Sequence, residues 1–244
     1  MRVLLLVCTI SVLLVTGCKR GAQSNANLGT GGASGNGGAG QSTQARTLLE
    51  QGKTLYRNDQ DSEAAEAFKQ AVAMDPELAE AHFRLGLAYE ALNKQDDAEA
   101  EYKKAVESYK KFVEANPKDA EAHYLFGLTY ANLQQYSDAI REYRAATRLK
   151  SDDADIYYDL GVAHSKLAQY DEAASAFSKS LEIDPDNYRA QDALDEAREG
   201  VKRVRDGRRH QEDILKKQKE DELKKAGEGV PGSAPPKPAP TKGA

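Results

Sequence analysis

A glycine, an alanine and an aromatic residue recur four times along this chain at one set of offsets, and few folds accommodate that pattern. With Ala79 as position 1, position 8 is Gly86, position 20 is Ala98 and position 24 is Tyr102. The same frame started at Ala45, Ala120 and Ala154 gives Gly52, Gly127 and Gly161 at position 8 and Ala64, Ala139 and Ala173 at position 20. Position 24 is then Phe68, Tyr143 and Phe177, and position 27 is Ala71, Ala105, Ala146 and Ser180. A period of about 34 residues carrying such marks describes two short amphipathic helices per unit, stacked unit upon unit. Small residues at positions 8, 20 and 27 let helix backbones approach, while larger ones at 4, 7, 11 and 24 fill the seam. Pro76 and Pro185 fall at position 32, where one unit has to end.

On these residues the sequence resembles the tetratricopeptide repeat (TPR) family, with units at 45–78, 79–119, 120–153 and 154–187. The resemblance implies an all-α, right-handed α-solenoid of four helix-turn-helix repeats, each burying only its contacts with its neighbours. Composition agrees, because a chain without Trp, with 7% aromatic and 30% charged residues, is poorly supplied for one large globular core. After Pro185, Tyr188, Ala190, Ala193, Leu194, Ala197, Val201 and Val204 share one helix side, which predicts a capping helix over 188–204. A solvated charged helix is expected over 205–226 and a Pro/Lys-rich disordered tail over 227–244.

The N-terminus carries a different signal. Arg2 is followed by an apolar run from Val3 to Val15, and Val15-Thr16-Gly17-Cys18 closes it with small residues before a cysteine. Residues 1–17 read as a signal peptide, too short and wrongly flanked for a membrane span. The closing tetrad looks like a bacterial lipobox, which implies cleavage before Cys18 and acylation of that residue; the other reading is an ordinary secretory peptide with an incidental cysteine. Lys19 stands where some inner-membrane lipoproteins carry Asp, so the resemblance implies attachment to the outer membrane, facing the periplasm, in a bacterial cell envelope. Residues 18–44, rich in Gly, Ser, Asn and Gln, are expected to be a lipid-anchored flexible linker.

Unit 2 is longer than the others. Its successor starts 41 residues after Ala79, and a surplus of seven residues turns a helix by only about 20° less than two full turns. The stripe Tyr102, Ala105, Val106, Tyr109, Phe112, Val113 therefore continues in phase, which predicts a second helix two turns longer than its equivalents, protruding about 10 Å. Two readings stand: Tyr109, Phe112 and Val113 form a docking ridge, or the stripe packs against a neighbouring helix or the C-terminal segment.

No convergent chemistry is visible. Cys8 and Cys18 lie outside the repeats, and no phosphate-binding loop is present. His82, His123 and His164 are evenly spaced, but they occupy positions 4, 4 and 11, where seam-filling residues belong, so no metal and no cofactor is expected. A net charge of −5 gives no reason to expect a nucleic-acid partner, and no small-molecule substrate is expected either. What the resemblance implies instead is a concave groove. Its family positions carry over to Leu49, Phe83, Tyr124 and Tyr158 (position 5), Lys53, Leu87, Leu128 and Val162 (position 9), and Glu80, Glu121 and Asp155 (position 2). The implied function is a non-catalytic, lipid-anchored protein–protein interaction scaffold. It would bind a peptide or helix of another envelope protein in that groove for assembly of an envelope complex, in a pilotin-like or assembly-factor-like way, with self-association left open. The alternative is a structural tether whose basic residues Lys202, Arg203, Arg205, Arg208 and Arg209 contact cell wall or anionic lipid.

Overall fold

The computed structural model describes residues 37–228, and all regular structure among them is helical. The order is α1 (Gly37–Arg57), α2 (Asp61–Met74), α3 (Ala79–Ala91), α4 (Gln95–Ala115), α5 (Ala120–Asn132), α6 (Tyr136–Leu149), α7 (Ala154–Lys166), α8 (Tyr170–Ile183) and α9 (Tyr188–Glu228). Each odd helix up to α7 pairs with the next even one, and each pair packs on its successor, giving the right-handed α-solenoid. The expected signal peptide, Cys18 and the tail beyond 228 lie outside the described residues.

The recurring offsets have one steric cause. A Cβ placed on Gly52, Gly86, Gly127 or Gly161 would lie 2.4–2.6 Å from a ring carbon of Phe68, Tyr102, Tyr143 or Phe177 respectively. The bare backbone at position 8 is thus the floor on which the aromatic of position 24 rests. The rings are almost wholly buried, and burying one such side chain contributes about 1.5–3 kcal/mol. Ala64, Ala98, Ala139 and Ala173 have no exposed surface or almost none, as close contact of two helices requires. Ser180, the one non-alanine at position 27, is buried and donates from Oγ to the Ala154 carbonyl at 2.9 Å.

Within each repeat the two helices are joined by the same turn. Asp59, Asn93, Gln134 and Ala168, all at position 15, have φ between 55° and 59°. The next amide bonds back to the position-11 carbonyl, as in Gln60 to Leu55, Lys94 to Tyr89, Gln135 to Tyr130 and Gln169 to His164. This is a Schellman ending, which ordinarily takes Gly at the left-handed residue. Asp119 and Asp153 open α5 and α7 by accepting from backbone amides of the first turn.

Three expectations are corrected. The linker does not run to residue 44, because α1 already begins at Gly37. Once α2 and α3 hold the later turns of α1, extension toward the N-terminus adds one hydrogen bond per residue without a new nucleation cost. The capping and charged helices are one 41-residue helix, α9. No proline interrupts it, and its distal half is rich in Lys, Arg, Glu and Gln, which are strong helix formers. Its first turns cap the array through Leu194 and Ala197 against Ala173 and Phe177, while residues 202–225 are exposed throughout.

The third correction concerns α4, which has 21 residues where α2, α6 and α8 have 14. One face of the two added turns packs on α5 instead of standing free. Ser108 and Tyr109 are buried, and the Tyr109 ring stacks on Phe126 of α5 with centroids 5.7 Å apart. Counted back from Ala120, Tyr109 holds the place that Tyr143 holds before Ala154, eleven residues earlier. α4 therefore carries two aromatic sites in tandem, Tyr102 facing α3 and Tyr109 facing α5, and α5 docks on the added turns.

Candidate functional site

The residues expected along the groove divide by depth. Position 5 does not present four free side chains. Leu49 and Phe83 are 3% and 2% exposed, because position 5 leans on the aromatic of position 24. Phe83 meets Tyr102 at 6.1 Å between centroids, Tyr124 meets Tyr143 at 6.0 Å and Tyr158 meets Phe177 at 5.7 Å. Leu49 and Phe83 are core residues, whereas Tyr124 and Tyr158 remain half-buried and keep an edge toward the groove. At position 9, Leu87, Leu128 and Val162 are half-buried and apolar. Lys53 is occupied, its Nζ lying 2.9 Å from Glu50 and 3.2 Å from Glu80. Glu80 also pairs with Arg84 at 3.2 Å.

The later repeats are different. Glu121 and Asp155 are exposed and form no ion pair among the described residues. Tyr124 donates from its hydroxyl to Asp159 Oδ2 at 2.7 Å, joining repeat 3 to repeat 4. Burial pushes the Asp159 carboxyl up to about 6, with the Tyr124 hydrogen bond and Arg189 opposing that rise. Such a carboxyl is short of cationic company, and a cation brought by a partner would favour its ionised form. Asp159, at position 6 of its repeat, was not among the residues picked from the sequence. Arg189 of α9 lies over the Tyr158 ring at 4.4 Å, so the capping helix already covers part of the last groove aromatic.

The added turns of α4 contribute unequally. Tyr109, 3% exposed, is a core residue and cannot be part of a docking ridge; Val113 is half-buried, and only Phe112, at 42%, stands open. Phe112 and Tyr109 form one wall of a cavity of about 470 Å³, completed by Leu49, Leu78 and Leu125.

The histidines have structural partners. His82 hydrogen-bonds Glu101 at 2.6 Å and the Pro76 carbonyl at 3.0 Å, and His123 repeats the device with Glu142 at 2.8 Å and the Pro117 carbonyl at 3.4 Å. Each therefore ties its own helix pair to the loop before it. His164 hydrogen-bonds Gln169 at 2.6 Å, and burial holds its pKa below the ordinary value.

Comparison with known proteins places this architecture. Models described as Tetratricopeptide repeat match residues 49–111, 108–141 and 154–187, and one described as TPR repeat matches 132–167. Among solved structures, a MamA protein is 28% identical over 78% of this chain and 98% of its own, with a TM-score of 0.49. TTC0263, a thermophilic TPR protein of Thermus thermophilus, is 25% identical over 63% and 80%, with a TM-score of 0.51. Pseudomonas aeruginosa pilF shares the fold at 18% identity over 65% and 69%, with a TM-score of 0.51. No curated protein matches the chain.

Proposed function

Because the chain belongs to the tetratricopeptide repeat family, whose members are protein–protein interaction scaffolds, we propose that it is a non-catalytic adaptor binding a segment of another envelope protein in its concave groove. One observation carries this reading. Tyr124, Tyr158, Leu87, Leu128 and Val162 form a half-buried apolar row on successive rigid helices, beside the carboxylates Glu121 and Asp155, which form no ion pair among the described residues. Aromatic anchors held rigid bury a large area at little entropic cost, and unpaired acids next to them favour a segment carrying Lys or Arg.

The adaptor reading includes a tether to the membrane through acylated Cys18, supported by the lipobox-like Val15-Thr16-Gly17-Cys18. Two acyl chains hold a protein firmly at a bilayer, and Lys19 favours the outer membrane, facing the periplasm. Among the described residues no helix is long and apolar enough to cross a membrane. A role in assembling an envelope complex, pilotin-like or assembly-factor-like, follows from this layout of anchor, spacer and groove. A second reading, a tether touching cell wall or anionic lipid, is favoured by the full exposure of the basic stretch from Lys202 to Arg209.

The test is affinity capture from envelope extracts with the intact chain and with Tyr124→Ala/Tyr158→Ala. A partner captured by the first and lost with the second supports the adaptor. Equal capture, together with loss of envelope association on deleting 202–244, supports the tether instead. Acylation is tested separately by fatty-acid labelling of the wild type and Cys18→Ser, and membrane fractionation then tests the location.

A further inference from the structure

The cavity beside α4 is not a general property of a stack of helix pairs. Two of its lining residues, Tyr109 and Phe112, belong to the seven residues that α4 has in excess of its equivalents. Those residues can be identified. Ala105-Val106-Glu107 and Phe112-Val113-Glu114 lie one heptad apart, and joining Ala105 directly to Val113 gives Ala-Val-Glu-Ala-Asn-Pro, which parallels Ala71-Val72-Ala73-Met74-Asp75-Pro76 at the end of repeat 1. Removing 106–112, 107–113 or 108–114 leaves the same sequence, and each of these heptads contains both Tyr109 and Phe112; the insertion is written as 106–112.

We infer that this cavity is the anchor subsite of the groove, taking one large apolar side chain of a partner segment that carries Lys or Arg next to that residue. The inference rests on the adaptor reading and names the chemistry of its partner. Two observations support it. The walls are apolar where the side chain would sit, and a volume of about 470 Å³ falls in the range of small-ligand pockets, about 300–1,000 Å³. The rim carries the carboxylates of Glu50, Glu77, Glu80, Asp119 and Glu121 against the single cation Arg46. Lys53 and Lys111 neutralise some of these, but Glu121 is left exposed and without an ion pair among the described residues.

The chain's own C-terminal residues 229–244 fit poorly as the occupant, since they carry Lys237 and Lys242 but no apolar side chain larger than Val230.

The experiment pans a random-peptide display library on the full chain, in parallel with Phe112→Ala and Glu121→Lys. Both substituted residues are exposed, so neither change removes core packing. The expected result is enrichment of peptides with an aromatic or Leu/Ile residue beside Lys or Arg. Phe112→Ala should weaken their binding at least tenfold. Glu121→Lys should weaken it at least fivefold, and a version of the peptide with Glu in place of the basic residue should regain binding to Glu121→Lys. Peptides that ignore both changes but are lost with Tyr124→Ala/Tyr158→Ala would overturn the cavity while leaving the groove reading intact. A library yielding no binder would overturn both. Enrichment of a sequence matching 229–244 would assign the cavity to the chain's own end, and a chain that sediments as a dimer broken by Phe112→Ala would assign it to a second copy; either result overturns the partner.

Discussion

Replacing Gly86 with Ala places a methyl carbon 2.4 Å from Tyr102 Cε1, 2.6 Å from Cδ1 and 3.0 Å from Cζ. The ring cannot simply swing away, because Tyr102 is 1% exposed and packs on Phe83. Overpacking of a well-filled core costs about 1–3 kcal/mol, and an approach this close to a ring that cannot move belongs in the upper part of that range, about 2–3 kcal/mol. Against this, Ala in a helix interior is favoured over Gly by about 1 kcal/mol. The steric cost wins, leaving a net destabilisation of about 1–2 kcal/mol. With a urea m-value of about 1–3 kcal/mol/M the unfolding midpoint should fall by about 0.3–2 M. The assay is urea unfolding followed by helical circular dichroism, with two companions. Gly207→Ala, where nothing lies within 4 Å, should be neutral or raise local helix stability. Tyr102→Leu removes the clashing ring, so adding Gly86→Ala to it should cost little or nothing, and the double-mutant cycle should show coupling of about 1–2 kcal/mol. A Gly86→Ala chain as stable as wild type, or a cycle with no coupling, would refute the claim that the recurrent glycine serves the recurrent ring.

Ala168 sits at φ 55°, a conformation that costs a residue with a Cβ about 1–2 kcal/mol, so Ala168→Gly should raise the melting temperature despite the extra freedom of the unfolded chain. Asn93→Gly should gain less, because Asn tolerates that conformation better. For Asp159, burial raises the folded-state pKa from 3.8 to about 6, so the stability it contributes is fully present below 3.8 and is lost as pH rises through about 6. Asp159→Asn, which keeps an acceptor for Tyr124, should therefore stabilise the chain by about 1–2 kcal/mol at pH 7 and by little at pH 4, as read from paired urea midpoints. Tyr109→Phe removes a buried hydroxyl that has no hydrogen-bond partner among the described residues and should be neutral or stabilising by up to about 1–2 kcal/mol in the same assay.

The solenoid was legible because its marks are steric and periodic: a glycine that must lie under a ring, and alanines that must lie between helices, leave the same trace in every repeat. The turn at position 15 left no such trace, since Asp59, Asn93, Gln134 and Ala168 share a backbone conformation without sharing a residue type, and none is Gly. The length of the α4 extension was readable from helical phase, but its fate was not, because the stripe that could stand free is the same stripe that α5 covers. In the expected groove, depth was not legible from family positions, because it depends on what lies beneath each one. Phe83 sinks against Tyr102, while Tyr124 is held half-exposed by its bond to Asp159. Asp159 itself gave no signal, since one acidic residue among 39 does not stand out until its burial is known.

Residues 106–112 carry the most weight, as an in-phase insertion that builds the anchor cavity. The decisive measurement is capture of the groove partner by the full chain and by a chain lacking residues 106–112, with urea unfolding recorded on both. The shortened chain should still fold cooperatively, with Tyr102 serving both neighbouring helices, and should capture the partner at least tenfold less. Equal capture by the folded shortened chain, or loss of cooperative folding on deletion, would contradict the role given to the insertion.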